Sequence, residues 1–302
     1  MKSFYTGVYF IALSACGYGV MPIFALFAYR SGINIHTLLF LRFFITALLL
    51  FAYLCRTEKG MRVTKRDLGA LFVMGGILYT LQSTLYFTSL KYIPPSLTAL
   101  LLYTYPIIVP LLSFGFGKER LTVRHLAAVF LSFAGLILIL GGPAGKINLL
   151  GVGMAFGAAL VYSCYIVLGN RLIQKIPPAT ASAFIALFAS CSFLAASVGA
   201  HSLRLDLGLA AWWPVLGIVL FSTVLAMLMF FRGMERTGPT TASIISTLEP
   251  LVTILFSWLF FQDKLTPWQL MGTIGVLAGA VIVVLAGKGP AARLDVEVDS
   301  HS

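Results

Sequence analysis

The sequence predicts an all-α integral membrane protein of ten transmembrane helices, built as two inverted five-helix repeats with N- and C-termini cytoplasmic. Three observations predict it. Apolar runs of spanning length recur from end to end, the second half repeats the first at a fixed offset, and basic residues crowd alternate connections.

Of the 302 residues, 59% are hydrophobic and 10% charged, whereas a soluble domain carries about 25% charged residues. No soluble core could enclose that much apolar surface. About 20 apolar residues in a helix cross about 30 Å of hydrocarbon. Stretches near that length fall at 4–27, 34–54, 68–90, 97–116, 123–141, 149–169, 180–200, 212–231, 241–261 and 268–286. In lipid the backbone must be satisfied internally, and unbroken apolar runs lack the alternation of barrel strands, so the spans are helices.

With the N-terminus inside, the connections on its side carry most of the Lys and Arg residues. The opposite side holds Arg30, Lys91, Lys146, Arg204 and Lys264, one per loop, and Arg42 lies within a span. The positive-inside rule then places both termini in the cytoplasm. Membrane orientation thus accounts for the net charge of +11, and no nucleic-acid partner is expected. Cys16, Cys55, Cys164 and Cys191 show no Cys-x-x-Cys spacing, and His36, His125, His201 and His301 no metal spacing. Neither a disulfide framework nor a metal or other cofactor is expected. Leu13 to Cys16 resembles a lipoprotein cleavage box, but the segment is long enough to span and has a second copy, so the first helix is expected to stay.

That second copy belongs to a repeat covering most of the chain. An offset of 144 residues superimposes Phe87 on Phe231, Pro95 on Pro239, Pro106 on Pro250, Ser113 on Ser257 and Gly135 on Gly279. KERLT (118–122) falls on QDKLT (262–266), and Gly7 and Tyr18 fall on Gly151 and Tyr162. The units are 1–142 and 148–287, followed by a disordered cytoplasmic tail, 288–302. Five spans is an odd number, so the second copy is inverted relative to the first. Inverted halves that rock about a midplane site are a transporter signature.

Four segments carry a family resemblance: LRFFITALLL (41–50), YFTSLKYIPPSLTALL (86–101), YPIIVPLLSFGFGKERLT (105–122) and LEPLVTILFSWLFFQDKLTPWQLMGTIGVLAG (248–279). In these the chain resembles the EamA-like group of the drug/metabolite transporter superfamily. The resemblance implies a secondary transporter of the bacterial cytoplasmic membrane, often an exporter of amino acids or related metabolites. The first span departs from the usual Trp-Gly pair by reading Cys16, Gly17, Tyr18, Gly19.

Two ionisable side chains lie deep in spans, Arg42 and Glu249, each costing a few kcal/mol in the bilayer unless paired or hydrated. Counted from opposite faces, both approach mid-depth, so a contact between them is geometrically possible. Either Glu249 exchanges a proton during transport, with Arg42 opposing its neutralisation, or the two are structural, as a permanent ion pair or as an arginine snorkelling along its own helix and a carboxylate capping backbone freed by Pro250. Pro106 and Pro250 sit at equivalent mid-span positions, where each removes a backbone hydrogen bond and kinks its helix at a cavity or in packing. Tyr105 stands where Glu249 stands in the other half. Substrate-binding candidates are Tyr18, Tyr79, Gln82, Tyr86, Tyr103, Tyr105, Tyr162 and Glu249, with Ser83 and Tyr165 also available. Tyrosines offer a flat apolar face and a hydroxyl, which suits an amino acid with a hydrophobic side chain or an aromatic metabolite. Gly275 with Gly279, and Gly153 with Gly157, make small-residue faces for close helix packing. The fifth and tenth spans are therefore expected at the periphery, in a monomer or at a homodimer contact.

An intramembrane enzyme would need a nucleophile and base or a metal cluster in the bundle, and the spans offer neither. A channel or facilitative pore, the alternative reading, would favour rings of like charge, where this core has one acidic residue. The expected function is secondary active transport of a small metabolite by alternating access, with the bilayer and a small solute as partners and protons as a candidate coupling ion.

Overall fold

The structure is a computed structural model describing residues 2–57, 63–105, 107–109, 148–173, 176–203, 206–237, 245–246 and 248–286, with scattered positions between 112 and 138. Every regular element among the described residues is helical. In chain order these are α1 (Lys2–Gly19), α2 (Met21–Arg30), α3 (Ile35–Arg56), α4 (Lys65–Phe72), α5 (Thr80–Ser89), α6 (Pro95–Leu102), α7 (Leu149–Ile173), α8 (Pro178–Gly199), α9 (Leu209–Val219), α10 (Ala226–Thr237), α11 (Leu248–Phe261) and α12 (Pro267–Ala286). A π-helical turn, Val73–Tyr79, joins α4 to α5, and another, Leu220–Leu225, joins α9 to α10.

Among the described residues six helical stretches are long and apolar enough to cross a bilayer: Phe4–Arg30, Ile35–Arg56, Lys65–Ser89, Leu149–Leu168, Ala179–Gly199 and Leu209–Phe230. They coincide with six of the expected spans. The apolar helix α11 is shorter, and most of 123–141 lies outside the described residues. Leu48, Leu160, Leu216, Leu255 and Trp258 are exposed, while Arg42, Gln82, Ser163, Thr253 and Ser257 are buried. An apolar exterior, with the polar side chains kept inside a largely apolar core, is what hydrocarbon solvent selects.

Local chemistry sets the helix starts. Asn34 caps α3 by accepting from the Thr37 amide at 2.8 Å, Thr64 caps α4 through the Asp67 amide, and Pro95 and Pro178 open α6 and α8, where a missing N–H costs nothing.

The most extensive helix contact joins α3 to α8. Asn34 donates to the Ser202 carbonyl at one end, Phe43 stacks on Phe193 in the middle, and Phe51 meets Phe184 towards the other, so the two helices run antiparallel. The 144-residue offset lays α3 on α8. Equivalent helices running in opposite directions are what an inverted repeat requires. Other contacts come in matched sets: α1 packs on α10 as α7 packs on α5, α1 on α11 as α7 on α6, and α6 meets α11. The core is therefore mostly an interface between the halves.

The π-helical turns obey the same relation, since 73–79 shifted by 144 overlaps 220–225. In each region a threonine hydroxyl donates to the carbonyl five residues back, Thr80 to Gly75 and Thr223 to Ile218, both at 2.9 Å. The widened turn presents a carbonyl that the hydroxyl satisfies.

The expected glycine faces divide. A Cβ built on Gly275 would lie 3.2 Å from Gly135 Cα, so the fifth and tenth spans approach closely there. Gly153 faces open space and Gly157 meets only the tip of Leu85, so in α7 these positions make no tight helix contact. Pro250 is buried in the first turn of α11, and Pro106 lies outside the described residues.

Candidate substrate-binding site

The first span is broken at its middle. Pro22 has no N–H for the Tyr18 carbonyl, and the Ile23 amide turns to Val20 at 3.1 Å. The carbonyl of Gly19 is thereby released, and it accepts a 2.7 Å hydrogen bond from Thr253 on α11. Only glycine fits, because a Cβ there would lie 2.7 Å from Val252 Cβ and 2.8 Å from the Glu249 carbonyl oxygen. The break thus seats Tyr18 beside the turn that carries Glu249.

Around this point the tyrosines form one continuous chain. Tyr103 meets Tyr105 at 5.4 Å between ring centroids, Tyr105 meets Tyr162 at 4.9 Å, Tyr162 stacks on Tyr165 at 5.8 Å, and Tyr165 meets Tyr79 at 5.2 Å. Tyr79 stands edge-on to Phe43 at 5.3 Å. The chain draws on both halves, Tyr79, Tyr103 and Tyr105 from one and Tyr162 and Tyr165 from the other. Tyr18, Tyr79, Tyr105, Tyr162, Tyr165 and Glu249 are half-buried, whereas Tyr86 and Tyr103 are buried, the latter donating to the Ser246 carbonyl. Glu249 lies within electrostatic reach of Tyr18, Tyr86, Tyr103, Tyr105 and Tyr162.

Arg42 is 2% exposed. Its Nε donates to Thr223 Oγ1 at 3.1 Å, and its Cζ lies 4.8 Å from the Phe43 ring centroid and 5.4 Å from that of Phe87. Cation–π contact of this kind is worth about 2 kcal/mol when desolvated. Arg42 and Glu249 make no direct ion pair in the structure. The contact that their similar depths leave possible is therefore not made.

The remaining candidate, Gln82, is buried and accepts from the Ser83 hydroxyl at 3.3 Å, with no described bond to the tyrosine chain. Thr223, Phe43 and Phe87, which hold Arg42, and Thr253, which holds the break, were not singled out by sequence. Among the described residues no three His, Cys, Asp or Glu side chains come together as metal ligands.

Helices with an apolar exterior, packed half against half around a tyrosine-rich centre, define a multi-pass membrane protein. The EamA-like transporter family profile matches residues 5–141 and again 149–285, so the chain belongs to that family. The two matches begin 144 residues apart, the offset of the repeat. Among its relatives, Uncharacterized transporter YcbK of Bacillus subtilis is 26% identical, over 70% of this chain and 70% of its own length. Threonine/homoserine exporter RhtA of Escherichia coli is 28% identical over 69% and 67%. Protein PecM of Dickeya dadantii is 24% identical over 70% and 72%. One crystallised protein superposes with a TM-score of 0.67 over 95% of this chain and 99% of its own, at 19% identity, a likeness of fold alone.

Proposed function

We propose that the protein is a secondary active exporter of small metabolites, amino acids or aromatic and hydrophobic compounds, in the bacterial cytoplasmic membrane. It works by alternating access of two inverted five-span halves, with both termini cytoplasmic. One observation carries the reading: half-buried tyrosines and Glu249 gather where the halves meet, in the first span's broken stretch and its surroundings. Such a surface takes a solute with an apolar body and polar ends. The antiparallel relation of α3 and α8 supports the rocking of inverted halves. The similarity to a threonine/homoserine exporter supports amino acids as solutes.

The test is counterflow in proteoliposomes preloaded with unlabelled L-threonine, L-homoserine or L-phenylalanine. Saturable accumulation of the labelled compound is expected for at least one of them. Flux that never saturates would replace the carrier with a pore, and no flux for any compound would remove amino acids as the cargo.

A further inference from the structure

Arg42 presents an imbalance that its surroundings do not resolve. A guanidinium has five N–H donors, yet in the structure this one makes a single hydrogen bond, from Nε to Thr223, and no ion pair. The four N–H donors on its two Nη atoms have no described protein acceptor. Two rings lie against the guanidinium, with Cζ 4.8 Å from the Phe43 centroid and 5.4 Å from that of Phe87, and neither offers a hydrogen-bond acceptor to the Nη atoms. One turn along the same face of α3, Thr46 is 1% exposed and its hydroxyl has no partner. A buried cation without a counter-charge is costly, and the cost falls when an anion enters.

The geometry holding Arg42 is specific. The π-helical turn Leu220–Leu225 carries Thr223, whose hydroxyl donates to the Ile218 carbonyl and therefore turns its lone pair to Arg42 Nε. Fixing Nε in this way orients the fork of the two Nη atoms, the geometry that binds a carboxylate through two parallel hydrogen bonds. Phe43, whose ring centroid lies 4.8 Å from Arg42 Cζ, meets Tyr79 at 5.3 Å and so links the guanidinium to the tyrosine chain. Through Phe43 the guanidinium thus neighbours the tyrosine-lined centre.

We propose that the Nη edge of Arg42, oriented by Thr223 and flanked by Phe43 and Phe87, is the carboxylate-binding subsite of the central site, with the Thr46 hydroxyl as an additional donor. It rests on the reading above that a solute occupies that centre. Solutes bearing a carboxylate are selected over their amides or decarboxylated amines, because only an anion compensates the buried charge.

Full-length protein in detergent is melted against rising benzoate and, in parallel, benzamide, its neutral isostere. Benzoate is expected to raise the wild-type midpoint and benzamide to leave it. Arg42→Gln is expected to lose the benzoate-specific rise, and Arg42→Lys to keep part of it, having the charge without the fork. In proteoliposomes, wild-type counterflow of L-phenylalanine is inhibited about tenfold better by the amino acid than by its amide, and Arg42→Gln reduces that preference to about twofold or less. Should Arg42→Gln not fold, Thr223→Val, which keeps the guanidinium but frees Nε, must weaken the benzoate response severalfold. An equal wild-type response to benzoate and benzamide overturns the subsite, as does an unchanged benzoate preference in Arg42→Gln or, where that variant does not fold, in Thr223→Val. Absence of counterflow with every amino acid overturns the transport reading instead, and the melting arm then decides Arg42 by itself.

Discussion

Ser257 Oγ donates to Asp263 Oδ2 at 2.8 Å, and the same oxygen accepts from Ser96, which belongs to the other half of the molecule. Gln262 adopts a left-handed φ of 56°, turning the chain after α11 so that Asp263 folds back over the helix end. One carboxylate therefore ties the start of α6 to the end of α11. If the halves rock, this tie must break once in each cycle on its face of the membrane. Hydrogen bonds to a charged group are worth about 1.5–3 kcal/mol each. Asp263→Ala is therefore expected to favour opening there by roughly tenfold. With Cys16, Cys55, Cys164 and Cys191 replaced, a single cysteine at Leu97, which follows Ser96 and is 4% exposed, should react with maleimide about tenfold faster in the Asp263→Ala background. Equal rates in the two backgrounds would mean that the tie holds nothing shut.

The approach of the third span to α8 depends on one missing side chain. A Cβ on Gly75 would overlap the Ile185 carbonyl oxygen and lie 2.8 Å from Ile185 Cα, and backbone cannot yield as a flexible side chain can. Gly75→Ala is expected to cost about 1–3 kcal/mol by overpacking, seen as a lower melting midpoint in detergent. Gly69→Ala is the control, because nothing lies within 4 Å of a Cβ there; a fall of the same size in both variants would discount the close approach.

A second stability test concerns the break in the first span. Thr253 supplies the hydrogen bond that satisfies the Gly19 carbonyl, and Thr253 is 2% exposed. Thr253→Val leaves that carbonyl without its partner, at a cost of about 1–3 kcal/mol, while Thr253→Ser retains the donor. The expected order of melting midpoints is wild type and serine together, valine below. Serine falling with valine would point to lost packing of the methyl group in place of the hydrogen bond.

Much of this was readable from the sequence because it depends on long-period signals. Spans follow from run length, and the repeat follows from matches such as Pro95 with Pro239. The tyrosines followed from being polar in an otherwise apolar medium. Three things were not legible. The π-helical turns arise where Val73–Tyr79 and Leu220–Leu225 pack, and no residue in either segment requires a wider turn. Whether Arg42 meets the other buried charge could not be read, because depth counting compares heights and not azimuths; the helix faces direct Nε to Thr223. Gly153 and Gly157 show the same limit, since a small-residue spacing marks a possible contact face without saying whether a helix lies against it.

Glu249 provides the sharpest test of how transport is driven. Among the described residues its half-buried carboxylate makes no ion pair, and the turn that carries it lies against Gly19, next to Tyr18, with Tyr103 bonded to Ser246 one turn earlier. A group so placed either stays charged as a fixed pole for the solute or takes up a proton as the site changes sides. Glu249→Gln keeps the shape and removes both the charge and the titration. On the proton-coupled reading, the variant still exchanges labelled for unlabelled solute but no longer accumulates it when a pH gradient is imposed. On the fixed-pole reading, exchange itself falls by about tenfold or more, the loss of one charge-assisted hydrogen bond, and whatever flux remains responds to the gradient as in the wild type. Measuring both fluxes in one vesicle preparation separates the two, because the first reading alters only the dependence on the gradient and the second only the affinity for solute.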